Sequence, residues 1–235
     1  MNKPEIIIAM DLPNKEAVDL FINQFPVSES LYLKVGMELY YKEGPAIVTY
    51  LKEKGHRIFL DLKMHDIPNT VKSAMRQVAS LGVDLTNLHA AGGKKMMEAA
   101  IEGLIEGSPD GKRPLIIAVT QLTSTSKEQM NEEQGILGTV ADSALNYAKV
   151  AKAAGLDGVV CSVHEAQKVH ETCGEGFIAL TPGIRLAGDD AHDQTRVATP
   201  KRGKEEGSNY IVIGRSITCA ENPYDVYQRV QGEIE

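Results

Sequence analysis

Eight short, nearly uninterrupted apolar runs punctuate this chain, and each is followed by a stretch with helical spacing. They fall at 5–11, 31–38, 57–63, 84–89, 114–122, 158–163, 177–183 and 210–215. A strand that is apolar at consecutive positions, rather than at alternate ones, is covered on both faces, as in a parallel sheet flanked by helices. The intervening segments 14–24, 44–54, 69–81, 94–106, 140–154 and 223–230 have the apolar periodicity of helices packed on one side, and shorter helical segments fall at 164–173 and 199–206. Eight strand–helix alternations in 235 residues predict an α/β fold, a (β/α)8 TIM barrel forming a single domain over 1–235. An open doubly wound sheet is the competing arrangement.

Charge and cysteine usage narrow the function classes. The formal net charge is −7, and Lys and Arg form no extended cluster. Nucleic-acid binders draw most of their affinity from a basic face, so neither nucleic acid nor an anionic membrane is an expected partner. Three scattered cysteines, Cys161, Cys173 and Cys219, read as reduced thiols rather than a disulfide framework. The opening apolar run, Ile6 to Met10, is too short for a signal-peptide core. A cytoplasmic protein is expected.

The most informative residues are charges where strands should be greasy. Asp11 ends the first run, Lys34 lies in the second, and Asp61 and Lys63 end the third. In a barrel the C-terminal strand ends form the active-site face. Strand side chains alternate, so Asp61 and Lys63 share one face while Leu60 and Leu62 suit the layer beneath the helices. Buried charges are costly unless paired, and two lysines interleaved with aspartates meet that condition as an alternating ionic array. An ion-pair network that merely ties strand ends together is the structural alternative.

The segment Asp61-Leu62-Lys63-Met64-His65-Asp66-Ile67-Pro68-Asn69-Thr70 carries an Asp-x-Lys-x-x-Asp core. Together with Lys34 and the late segments Thr181-Pro182-Gly183-Ile184-Arg185 and Ile213-Gly214-Arg215-Ser216, it resembles the orotidine 5′-monophosphate decarboxylases of bacterial type over essentially the whole chain. The core alone is shared with related barrels acting on sugar phosphates, including 3-keto-L-gulonate 6-phosphate decarboxylase and hexulose phosphate synthase. The resemblance implies a carboxy-lyase of pyrimidine biosynthesis that converts orotidine 5′-monophosphate to uridine 5′-monophosphate without a cofactor or metal. It implies that Lys63 donates a proton to C6 of the pyrimidine, that Asp61 lies near the substrate carboxylate, and that Lys34 contacts the ribose and orders the array. Asp11 would hold ribose hydroxyls. Asp66, with Ile67 and Thr70, would enter the site of a partner subunit, making a homodimer with shared active sites.

Loops after the seventh and eighth strands often build a phosphate site in such barrels, which points to Arg185, Gly214 and Arg215. The loop 186–194 reads as a lid, and the resemblance places Gln194 across base and phosphate and Thr123 at the pyrimidine edge. His65 and His89 lack metal-ligand spacing and read as packed or hydrogen-bonded histidines. Cys161 reads as a small buried hydrophobe, and Lys94-Lys95 as an exposed helix start. Two rivals remain: a Mg2+-dependent sugar-phosphate decarboxylase or aldolase on the same barrel, and a non-catalytic barrel that binds pyrimidine nucleotides.

Overall fold

The computed structural model describes residues 3–186 and 197–235. Eight parallel strands run in sequence order: β1 (Glu5–Ala9), β2 (Tyr32–Gly36), β3 (Arg57–Met64), β4 (Leu85–His89), β5 (Leu115–Val119), β6 (Gly158–Val160), β7 (Ile178–Thr181) and β8 (Tyr210–Ile213). β1 pairs with both β2 and β8, so the sheet closes into a barrel and the open-sheet arrangement is ruled out.

Around it lie α1 (Lys15–Ile22), α2 (Met37–Glu43), α3 (Pro45–Glu53), α4 (Pro68–Ser80), α5 (Gly93–Glu106), α6 (Lys127–Glu132), α7 (Val140–Ala153), α8 (Val163–Cys173), α9 (Pro200–Glu205), α10 (Arg215–Thr218) and α11 (Pro223–Glu233). The two short segments predicted at 164–173 and 199–206 are helices with local start signals. The Glu165 carboxylate accepts from the Ser162 N–H at 2.8 Å, and the Thr199 hydroxyl accepts from the Arg202 N–H at 3.2 Å. The second predicted strand was too long. Pairing stops at Gly36, and residues 37–43 turn into α2, which buries only Leu39.

Strand alternation divides the apolar residues into two layers. Ile7, Ala9, Tyr32, Phe59, Leu85, Ile117, Leu180, Tyr210 and Val212 point inward and fill the barrel. Their neighbours Ile6, Ile8, Leu33, Val35, Ile58, Leu60, Ile116 and Ile211 point outward, against the helices. Each fully buried side chain of this size contributes about 1.5–3 kcal/mol.

Helices α4 and α5 approach backbone to backbone. A Cβ on Gly103 would stand 2.1 Å from the Lys72 carbonyl oxygen, and one on Gly107 would stand 2.3 Å from that of Arg76. Lys72 closes the contact with ion pairs to Glu102 (3.0 Å) and Glu106 (2.8 Å). This packing fixes the start of α4, directly after Asp66 and Ile67. Among the described residues no helix is long and apolar enough to cross a membrane.

Candidate active site

The inward faces of β2, β3 and β4 change character toward their C-terminal ends. On β2, Tyr32 is followed two residues later by Lys34. On β3, Phe59 is followed by Asp61, and on β4, Leu85 by Asn87. The charges therefore converge at the mouth because they occupy the same alternating positions as the core side chains beneath them. They line one cavity of about 690 Å³ whose apolar lining includes Ala9, Phe59, Val119, Val160, Leu180 and Val212.

The array is continuous. Lys34 Nζ lies 2.8 Å from Asp11 Oδ1 and 3.5 Å from Asp61 Oδ2, and Lys63 Nζ lies 2.6 Å from Asp61 Oδ1. Asp61 is buried and also accepts a 2.6 Å hydrogen bond from Asn87 Nδ2. Burial alone pushes the Asp61 carboxyl up. The Lys34 and Lys63 ammonium groups, with the bonds from Lys63 and Asn87, outweigh it and hold the group below its ordinary value. Burial likewise pulls the Lys34 ammonium down, and Asp61 and Asp11 together reverse the effect and raise it. Both groups are therefore charged near neutrality, and each is the reason the other is.

Asp61 and Lys63 meet as expected, although not through a regular strand. The β3–β4 register shifts between Leu60 and Met64, and Lys63 has φ of 52°, the left-handed region that L-residues rarely occupy. Leu62 nevertheless packs against the outer core, as its place in the alternation requires.

Of the other residues singled out from sequence, Thr123, Arg185, Gly214 and Arg215 line the same cavity. Arg185 is buried and donates from Nη1 to the Ile184 carbonyl at 2.9 Å. In a closed barrel of eight strands in sequence order, β7 lies four strands from β3, so the segment that carries Arg185 leaves the barrel opposite β3. Asp66, Ile67 and Thr70 do not line this cavity; all three are exposed around the start of α4, and the Asp66 carboxylate accepts from the Ile67 N–H at 2.6 Å. Gln194 and all but the first residue of the segment read as a lid lie outside the described residues.

Three residues of the site were missed from sequence. Asn87 and Gln121 are buried polar residues lining the cavity, and Gln121 donates to Ser143 Oγ at 3.0 Å. A polar residue two places beyond the inward Leu85, on the same face of β4, was the signal for Asn87. Gly36 is the third. A Cβ there would stand 3.0 Å from Lys34 Nζ and 3.1 Å from Asp11 Oδ1, so a side chain at this position presses on that ion pair and glycine does not.

The histidines lie beside the array: the His65 and His89 rings are 5.7 Å apart, and burial followed by His65 and Lys63 lowers the His89 pKa. Among the described residues no three His, Cys, Asp or Glu side chains gather as a metal cluster. Cys161 is buried and lines the cavity, Cys219 is exposed at its rim, and Lys94 and Lys95 are exposed at the start of α5.

Fold and site together define a (β/α)8-barrel enzyme whose working groups sit at the C-terminal ends of the strands. The chain belongs to the orotidine 5′-phosphate decarboxylase / HUMPS family, whose model matches residues 4–230. It is 62% identical over 231 residues to the orotidine 5′-phosphate decarboxylases of Bacillus cereus (strain Q1) and of Bacillus cytotoxicus; each match covers 98% of this chain and 97% of the relative. The crystal structure of orotidine 5′-phosphate decarboxylase from Lactobacillus acidophilus superposes with a TM-score of 0.89 at 42% identity, covering 100% of both chains. A crystal structure from Geobacillus kaustophilus gives a TM-score of 0.88 at 51% identity, over 98% of this chain and 100% of that one.

Proposed function

We propose that this protein decarboxylates orotidine 5′-monophosphate to uridine 5′-monophosphate in pyrimidine synthesis, as a cytoplasmic homodimer that needs no cofactor. The observation that carries this reading is the Lys63 ammonium, held 2.6 Å from the buried Asp61 carboxylate at a cavity that also contains Arg185 and Arg215. Breaking the bond from C6 to the carboxylate releases CO2 and leaves the electron pair in the plane of the pyrimidine ring, where the π system cannot delocalise it. A fixed ammonium beside C6 stabilises that pair and then transfers its proton to it; solvent later reprotonates the amine. Preorganised charge over an apolar-lined cavity acts strongly once bound substrate displaces the water that would screen it.

Arg185, Gly214 and Arg215 grip the phosphate, Thr123 reads the base, and Lys34 and Asp11 take the ribose hydroxyls. Gln194 bridges base and phosphate. Binding energy from the distant phosphate then supports positioning at the reacting end. Asp66, Ile67 and Thr70 serve the partner's site; what supports this is that all three are exposed and absent from the lining of their own cavity.

Purified protein incubated with orotidine 5′-monophosphate and a chelator is expected to release CO2 at an undiminished rate. Loss of turnover on chelation, or consumption of a keto-sugar phosphate instead, favours the metal-dependent rival and defeats this reading. Uridine monophosphate binding without CO2 release favours the non-catalytic rival. For the shared site, Lys63→Ala and Asp66→Ala homodimers are expected to be nearly inactive alone and to regain activity once mixed and allowed to exchange subunits. Absence of recovery despite verified exchange places Asp66 in its own subunit's site.

A further inference from the structure

Asn87 joins the two halves of the Asp61–Lys63 unit through a single side chain. Its Nδ2 donates to Asp61 Oδ1 at 2.6 Å, and its Oδ1 accepts from the Lys63 backbone N–H at 2.8 Å. The Lys63 N–H can only donate and the ionised carboxylate can only accept, so the orientation of the amide is fixed by its neighbours. The bond to Lys63 falls where the β3–β4 register shifts, at the residue with φ of 52°. Asn87 is itself buried in β4, and its backbone is in register with Ile117 on β5. A rigid strand thus holds both the carboxylate and the strained backbone from which the amine projects.

We infer that Asn87 is a positioning residue for the decarboxylation: its amide sets the distance and direction of the Lys63 ammonium relative to the reacting carbon by clamping Asp61 and the Lys63 backbone together. This rests on Lys63 being the group that stabilises and protonates C6. Few other residue types replace the clamp. Alanine offers neither bond. Aspartate has the same shape, but when ionised it cannot donate to Asp61 and sets a second negative charge beside it. Once protonated, the same carboxyl donates O–H to Asp61 and accepts from the Lys63 N–H, which restores both bonds.

Two variants test this beside the wild type. Asn87→Ala is expected to lower kcat by about tenfold to a hundredfold with KM changed less than about threefold, because a small misplacement costs rate while the phosphate and ribose contacts remain. Asn87→Asp is expected to recover at least about tenfold in kcat as pH falls from about 8 to about 6, since burial and Asp61 raise the pKa of the new carboxyl. The wild-type profile, measured in parallel, accounts for the other titrating groups that face this point: Lys34, Lys63, His65 and His89. A purely structural asparagine predicts an aspartate profile parallel to the wild type, and that result overturns the inference. So does an alanine variant whose kcat stays within about threefold of wild type, or whose loss lies wholly in KM. If circular dichroism shows the alanine variant unfolded, the isosteric aspartate variant decides the matter alone. If the wild type itself releases no CO2, the proposed activity fails; if it turns over normally while the variants behave as just described for failure, only the role of Asn87 falls.

Discussion

The two ends of the barrel are built from the same inward-facing positions and do opposite things. At the N-terminal floor, Arg57 pairs with Glu5 and lies 4.1 Å over the Tyr32 ring, which meets Tyr210 edge-on at 5.9 Å. Burial pushes the Tyr32 and Tyr210 phenols up, further toward the neutral form. The floor is therefore an aromatic plug with its charges at the rim. Two residues on from Tyr32 stands Lys34, and four on from Arg57 stands Asp61; these two are largely buried, and with Asp11 and Lys63 they alternate in sign and bound a cavity. The difference teaches that a barrel places a site by changing which residues occupy one set of positions, without altering the strands that carry them. Aromatic rings close one end and paired ions hold the other open.

This contrast can be broken by substitution at either end. The largest effect is expected from Lys63→Ala, which on the proposed mechanism takes away both the charge and the proton and so lowers kcat/KM by at least about a thousandfold; a steady-state decarboxylation assay checks it. Next, Gly36→Ala is expected to cost about tenfold to a hundredfold in activity by pressing on the Lys34–Asp11 pair, with little change in melting temperature. At the floor the pattern reverses. Arg57→Met is expected to reduce stability by about 1 kcal/mol, since the Glu5–Arg57 pair is largely solvated and the ring contact is the larger part, while turnover stays within about twofold. Equal losses of activity at both ends would mean that the two ends do not differ in this way.

The smallest effect is a pH signature. Asp61 titrates below its ordinary 3.8 in the folded chain, so its contribution to stability is full above that value and is lost as pH falls through the lower folded one. Lys34 titrates above 10.5, so its contribution is full below that value and is lost as pH rises through the higher one. Melting curves of wild type and Asp61→Asn are therefore expected to run parallel around neutrality and to converge only under acid conditions. Divergence near neutrality would show that the mouth is not locked in one ionic state.

Most of this architecture was legible from the chain, for a physical reason. Strands covered on both faces are mostly apolar, so eight such runs mark the barrel, and charges toward the ends of three of them mark the mouth. Boundaries were less legible: Met37 and Glu38 continue the second run in composition, yet the chain turns into α2 there because pairing ends at Gly36. For Asn87 the local spacing signals only an inward polar residue, whereas its importance lies in two hydrogen bonds to a neighbouring strand, which spacing does not encode. Gly36 stayed hidden because a missing side chain matters only once the ammonium and carboxylate beside it are located. Alternation correctly paired Asp61 with Lys63 but gave no hint of the left-handed backbone between Leu62 and Met64, which arises from the shift against β4.

That left-handed residue carries an evolutionary consequence. Glycine adopts φ of 52° without penalty, whereas lysine gives up about 1 kcal/mol to do so. The backbone here is thus worse for folding than it needs to be, and what holds lysine in place is the ammonium it brings to the buried Asp61 carboxylate. A lineage released from the reaction would be expected to lose residues 61 and 63 together, since glycine or asparagine at 63 alone relieves the backbone but leaves the buried Asp61 carboxylate short of a partner, so the two positions read as a pair separate working members of such a lineage from retired ones.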